Sequence, residues 1–242
     1  MTAAEDRAAG RALVVVSLAV LLAGSIWFSG TAAMPALREL WSLSDAQAAW
    51  LTVAVQLGFI SGTFLYSVLN LADVYNARRV FLVSALLGAV FNAGFAWLAS
   101  GLPTALVFRY LAGITLAGVD PVGMKIVASW FREGLGWRLG ILVGSLALGT
   151  ASPYLIQALG AGRDWHRLAG LASLSAAVGG LLVAFLLRDG PYLRTRAPFD
   201  ARAAGRVFRD PAFRYTAYGY FGHMWELYAL WSLVGFFLAG KA

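Results

Sequence analysis

Cysteine is absent from the 242 residues, and charged side chains make up only 13% of them. Without cysteine there is no disulfide, no cysteine-ligated zinc and no iron–sulfur ligation. The sequence therefore gives no redox clue to compartment. Histidine occurs only twice, at His166 and His223. Neither H-E-x-x-H nor G-x-S-x-G occurs, so the metalloprotease and serine-hydrolase arrangements lack their defining residues, and an enzyme is not expected. No G-x-x-x-x-G-K-[ST] loop is present, which argues against direct drive by ATP. Nothing in the chain calls for a cofactor or a metal. The ~10-residue alternating strands of a membrane barrel are also missing. The net charge of +7 raises nucleic-acid binding, but arginines in the loops of a membrane protein produce that charge with no such partner.

What the sequence does hold is apolar length. Hydrophobic residues are 60% of the chain, against about half in a soluble domain. A helix needs roughly 20 mainly apolar residues to cross a bilayer core, and such stretches recur. They predict seven spans, at 12–37, 46–72, 80–99, 104–130, 139–159, 168–187 and 215–239. The first is too long for a signal-peptide core and has no clear small-residue cleavage site, so it is read as a retained helix. Ser44 and Gln47 have capping-box spacing before the second span. Pro103 suits the start of the fourth. Backbone polar groups must be satisfied within lipid, so these runs are helices and the fold class is an all-α membrane protein.

Lysine and arginine set the orientation. With the N-terminus inside, the inner segments hold thirteen arginines: 7, 11, 78, 79, 132, 138, 188, 194, 196, 202, 206, 209 and 214. The outer segments hold four cations, Arg38, Arg163, Arg167 and Lys241. A cytoplasmic N-terminus in a multi-pass plasma-membrane protein is the expectation. A polar, arginine-rich linker with Pro191, Pro198 and Pro211 separates spans six and seven. The expected organisation is a six-helix bundle (1–187), a basic cytoplasmic linker (188–214) and the first helix of an incomplete second bundle (215–242).

The loop after span two reads Leu69-Asn70-Leu71-Ala72-Asp73-Val74-Tyr75-Asn76-Ala77-Arg78-Arg79. It resembles the signature of the major facilitator superfamily, G-x-L-A-D-R-x-G-R-[RK]. Leu71, Ala72, Asp73 and Arg78 fit, whereas Leu69, Val74, Asn76 and Ala77 depart. Asn76 is an expected stand-in for glycine, because asparagine tolerates the left-handed region. Span four adds Arg109-x-x-x-Gly113, similar to a pattern of the same family. Span five carries Gly140, Gly144, Gly149 and Pro153, similar to that family's Gly-rich fifth helix.

The resemblance covers essentially the whole chain, and it implies secondary transport of a small solute by alternating access, with protons as the family-level coupling ion. Two six-helix halves would rock about a midplane site. Asp73 with Arg78 or Arg79 would make charge-assisted bonds that gate the cytoplasmic end. The alternative is that these are ordinary positive-inside charges.

Ionisable residues at membrane depth are functional candidates by default. Arg109 and Asp120 are eleven residues apart, on one helix face but about 16 Å apart along the axis. Arg109 would meet an anionic substrate group or a buried carboxylate. The Asp120-Pro121 step should kink span four, and Asp120 either serves the solute pathway or caps the broken turn. Lys125 is expected to snorkel. His223 and Glu226 share a face of span seven, suiting either proton exchange or a polar contact between helices. Gln56, Asn92 and Gln157 are also polar at depth, Ser25, Ser29 and Thr31 are mild cavity candidates, and Trp41 and Trp165 are read as membrane-interface or packing residues.

A retinal-type sensor would need a lysine within span seven, which has none before Lys241. Since a typical family member has twelve spans, the seven here suggest a partial transporter, unable to transport alone, or else a non-functional fragment or a half-transporter that requires a partner chain.

Overall fold

The computed structural model describes residues 3–159, 164–193 and 205–239. Of the loop cations used for orientation, Arg163, Arg194, Arg196, Arg202 and Lys241 lie outside the described residues, as does Pro198 of the linker. Two compact units divide the chain, Met1–Arg196 and Ala197–Ala242. Among the described residues every regular element is a helix.

In the first unit these are α1 (Ala3–Ala32), α2 (Met34–Trp41), α3 (Asp45–Val68), α4 (Leu71–Val74), α5 (Ala77–Leu98), α6 (Leu102–Leu116), α7 (Asp120–Ala128), α8 (Leu135–Ala158) and α9 (Trp165–Leu186). The second unit contains α10 (Pro211–Ala239). Six described stretches are long and apolar enough to cross a membrane: Glu5–Trp41, Asp45–Val68, Ala77–Leu98, Leu102–Ala128, Leu135–Ala158 and Trp165–Leu186. The seventh predicted span is α10. Its 29 residues would measure ~44 Å, long enough for a bilayer. However, four tyrosines, two tryptophans, His223 and Glu226 dilute its apolarity, and it is not among the six.

Local chemistry places the helix ends. Ser44 and Gln47 form the reciprocal capping box at the start of α3, satisfying two donors that the helix leaves open. Prolines open α2, α6 and α7, where their missing N–H removes no helical bond. The fourth crossing is broken, as its Asp-Pro step predicts. After α6 the chain makes tight turns, with Gly118 N–H donating to Thr115 and Val119 N–H to Leu116, before α7 begins at Asp120.

Within the first unit α1 packs along α8 and α9, α5 along α9 and α6, and α3 along α6. Lipid supplies no hydrophobic drive between helices, so close backbone approach carries the association. Glycines provide it. A Cβ on Gly58 would fall on the Tyr110 carbonyl, one on Gly113 on the Val55 carbonyl, and one on Gly149 on the Leu21 carbonyl. Gly113 and Gly149 are therefore packing residues. Gly140 and Gly144 differ: among the described residues a Cβ on either meets nothing within 4 Å, so they pack on no helix of this unit. Pro153 is buried inside α8.

The contrast is testable. Gly113→Val should destabilise the purified protein by about 2 kcal/mol or more through overpacking, while Gly140→Val should leave it nearly unchanged. Thermal unfolding in detergent would measure both, and equal melting temperatures would contradict the packing described.

Candidate functional site

Arg109 is completely buried, at 0% exposure, and its guanidinium faces α1 rather than an acid. One terminal nitrogen donates to the Ile26 carbonyl (2.9 Å), Ser29 Oγ (3.2 Å) and Asn92 Oδ1 (3.2 Å). The other donates to the Trp27 carbonyl at 2.5 Å. A helical carbonyl keeps a second lone pair free for such a donor. Gly30 makes the approach possible, since a Cβ there would sit 2.7 Å from Arg109 Nε. The Phe95 ring lies 5.7 Å from the guanidinium carbon.

Asn92 extends the network. It donates to the Ala169 carbonyl (2.9 Å) and Ser173 Oγ (3.0 Å) and accepts from Ser29 Oγ (2.7 Å). Four helices, α1, α5, α6 and α9, meet here. Within the protein, backbone carbonyls, Ser29 and Asn92 take the place of the buried carboxylate partner that was one expectation for Arg109. Ser25 and Thr31 are likewise absorbed by packing: Ser25 Oγ donates to the Ala172 carbonyl (3.1 Å), and Thr31 and Thr52 share a hydroxyl contact of 2.8 Å. Gln56 is buried in α3, one turn beyond Thr52.

Asp120 occupies the first turn of α7. Its side chain makes no capping bond there, and the N-cap is Val119. Oδ1 is enclosed and, among the described residues, has no hydrogen-bond partner.

The end of the bundle carrying Asp73 holds the ionic contacts. Lys125 Nζ pairs with Asp73 Oδ1 and donates to the Ala72 carbonyl at 2.5 Å. So Lys125 does not simply snorkel, and Asp73 pairs with it rather than with Arg78 or Arg79. Arg78 reaches across to the segment after α9: its Nε meets Asp189 Oδ1 at 2.7 Å and Nη1 donates to the Leu187 carbonyl at 2.6 Å. The other Asp189 oxygen accepts from Asn76 Nδ2 at 2.8 Å.

Arg79 is exposed, its backbone N–H held by Asn76 Oδ1 at 3.3 Å. Asn76 is the N-cap of α5 at φ −60°, and the left-handed residue of the loop is Asn70 at φ 50°. Asn76 thus acts through its side-chain acceptor, not through a glycine-like backbone. The strap continues as Tyr192 N–H donates to the Ser129 carbonyl (2.9 Å) and the Tyr192 ring lies under Arg132 (4.4 Å). Gly190 packs so closely on Ser129 that a Cβ would overlap it. Asp189 was not among the sequence candidates. The signal available was an acid next to Arg188 in an arginine-rich stretch, directly before Gly190-Pro191.

At the opposite end Trp165 is buried and serves packing, against Trp41 (6.0 Å between ring centroids) and Phe95 (5.4 Å). His223 and Glu226 stand on α10 in the second unit, one turn apart and both exposed.

Two outcomes follow from this geometry. Arg109→Lys should cost about 3 kcal/mol, because an ammonium cannot span two carbonyls and Asn92 at once. Combined with Asn92→Ala it should be non-additive by about 1 kcal/mol or more, measured as a double-mutant cycle of unfolding.

The second concerns the strap. The Arg78 hydrogen bond, opposed by partial burial and reinforced by the charges of Arg78 and Arg79, holds the Asp189 carboxyl below the usual carboxylate range. A group lowered on folding stabilises above its ordinary value and loses that contribution as pH falls through the lowered one. A cysteine introduced as Ser129→Cys, unique in this chain, should therefore be labelled slowly at neutral pH relative to an exposed control. Adding Asp189→Asn should accelerate labelling about threefold, as expected for an exposed pair. In the Ser129→Cys protein that keeps Asp189, the same acceleration, taken relative to the exposed control at each pH because the thiolate is the reacting form, should appear only in acid.

Comparison with known proteins places this architecture. Residues 16–241 match the Major Facilitator Superfamily. The niacin transporter NiaP of Acinetobacter baylyi is 27% identical over 175 residues, covering 69% of this chain and 38% of NiaP. The fold is similar to the proton:xylose symporter XylE bound to 6-bromo-6-deoxy-D-glucose (TM-score 0.68, 15% identity, 77% of this chain and 46% of that one). It is also similar to the inward-open xylose transporter XylE from E. coli (TM-score 0.62, 18% identity, 74% and 48%). This chain thus spans less than half the length of these proteins. The match over nearly all its residues shows that the chain belongs to the Major Facilitator Superfamily.

Proposed function

We propose that this chain supplies one six-helix wall of a secondary transporter, moving a small organic solute across the plasma membrane by alternating access coupled to protons. The second wall would come from the rest of a longer transporter or from a partner chain, with α10 as its first helix. The observation that carries this reading is the contrast between centre and basic end. The Arg109 network ties α1, α5, α6 and α9 into a body that moves as a unit. The contacts at the basic end are half-exposed ion pairs, Lys125–Asp73 and Arg78–Asp189, which break and re-form at low free-energy cost.

The arginine asymmetry of the loops supports placing that end in the cytoplasm. There the two pairs would act as the gate, holding the end of the bundle in one state of the cycle and releasing it in the other. Arg109 gives no reason to prefer an anionic solute, because α1 carbonyls, Ser29 and Asn92 occupy its terminal nitrogens. Niacin enters as a first candidate only through the relative that transports it.

The test is uptake. Protein expressed from the native gene and reconstituted in vesicles should give saturable, counterflow-competent uptake of a small organic solute, with labelled nicotinate tried first. Residues 1–242 reconstituted by themselves should not. Uptake by residues 1–242 alone would remove the need for a second wall. No uptake by the native gene product across a panel of small carboxylates and sugars would overturn the transporter reading.

A further inference from the structure

The crossing Leu102–Ala128 is two helices, not one. At its interruption the chain turns through Gly118 and Val119, and Pro121 sits in the first turn of α7, where its missing N–H removes no helical bond. Asp120 stands at this point. Its Oδ1 is fully enclosed and unpaired among the described residues, yet the residue as a whole is only half-buried and Pro121 beside it is exposed. The residue therefore combines an enclosed, unpaired carboxylate oxygen with partial exposure at the surface of the bundle.

Among the described residues no cation pairs with it. The elements packed against α7 are α5, α1 and α8. Their charged groups lie in the first turns of α5 (Arg78, Arg79) and α8 (Arg138) and in the first nine residues of α1 (Glu5, Asp6, Arg7, Arg11). Arg78 is committed to Asp189. Tyr154 of α8 packs on Phe28, eight residues beyond the α1 valine, Val20, that lies against α7 at Gly123. On the same crossing, Arg109 is held by α1 carbonyls and Lys125 by Asp73. Tyr66 of α3 shares its hydroxyl with Ser84. An ionised carboxylate enclosed without a partner is costly, and taking up a proton removes the charge.

We propose that Asp120 is a proton-binding site inside the membrane crossing: a carboxylate oxygen forms an O–H bond with a proton taken from water and returns it to water when the broken segment moves. In the transporter reading, on which its role as the coupling site rests, this is where the proton is carried. The protonation itself is measurable without transport.

Infrared difference spectra of the 242-residue chain in lipid nanodiscs, recorded across a pH titration, should show a protonated-carboxyl C=O band that comes and goes with pH. Among the bands of the chain's twelve side-chain carboxyl groups, one component should be missing in Asp120→Asn and displaced in Asp120→Glu, which also serves if the asparagine variant fails to fold. Identical bands in the unsubstituted protein and both variants would overturn the site. Loss of that component with no uptake by the native gene product would keep the proton site and reject the transporter reading alone.

Discussion

A guanidinium with no access to water sets the terms for the first unit. Arg109 is buried among apolar helices, where an unsatisfied charge would be prohibitive. Four acceptors from two other helices meet it: two α1 carbonyls, the Ser29 hydroxyl and the Asn92 amide oxygen. The carbonyls can do so only because Gly30 leaves the α1 surface bare. Asn92 is in turn held by α9 through Ala169 and Ser173. Displacing any one of these helices would strand a polar group, so the centre of the bundle behaves as a single piece.

The periphery follows a different logic. Outside the centre, helices meet through glycine-allowed backbone contacts, as between α3 and α6 or α1 and α8. Their ends are joined by ion pairs with substantial exposure: Arg38–Asp45 near the start of α3, and Lys125–Asp73 and Arg78–Asp189 at the basic end. Pairs of that kind contribute little individually. A bundle that is stiff inside and lightly latched outside can move as a wall without losing its fold, which is what a rocking mechanism requires.

The sequence made the outline legible because the bilayer demands it. Six of the seven long apolar runs, the Ser44–Gln47 box and the Asp120-Pro121 step each act through neighbours within a few residues, and each appears in the structure where the spacing puts it. Partners were not legible. Arg109 is visible as a charge at depth, but nothing local says that it meets carbonyls 82 and 83 residues away. Asp73 was expected to pair with its sequence neighbours, whereas Lys125, 52 residues on, reaches it. Gly140 and Gly149 look alike in a string and differ completely once α1 is known to lie beside one and not the other. Pairing across helices depends on which helices are adjacent, and hydrophobic periodicity carries no record of that.

The fourth crossing shows how the same cost is met in three ways. Its three ionisable residues beyond tyrosine all sit where charge is expensive. Arg109 is neutralised in effect by dipoles that cannot leave, since they belong to the α1 backbone. Lys125 lies near the end of α7 and takes a carboxylate. A fixed set of dipoles and an ion pair both favour one charge state strongly, so neither group is suited to change it during a cycle. Among the described residues Asp120 Oδ1 has neither kind of partner, and the helix carrying it is already interrupted. A group held by nothing loses nothing when its charge changes, and a broken helix can shift without breaking further backbone bonds. If any residue of this crossing exchanges charge with the solvent, the physics of its neighbours leaves that role to Asp120.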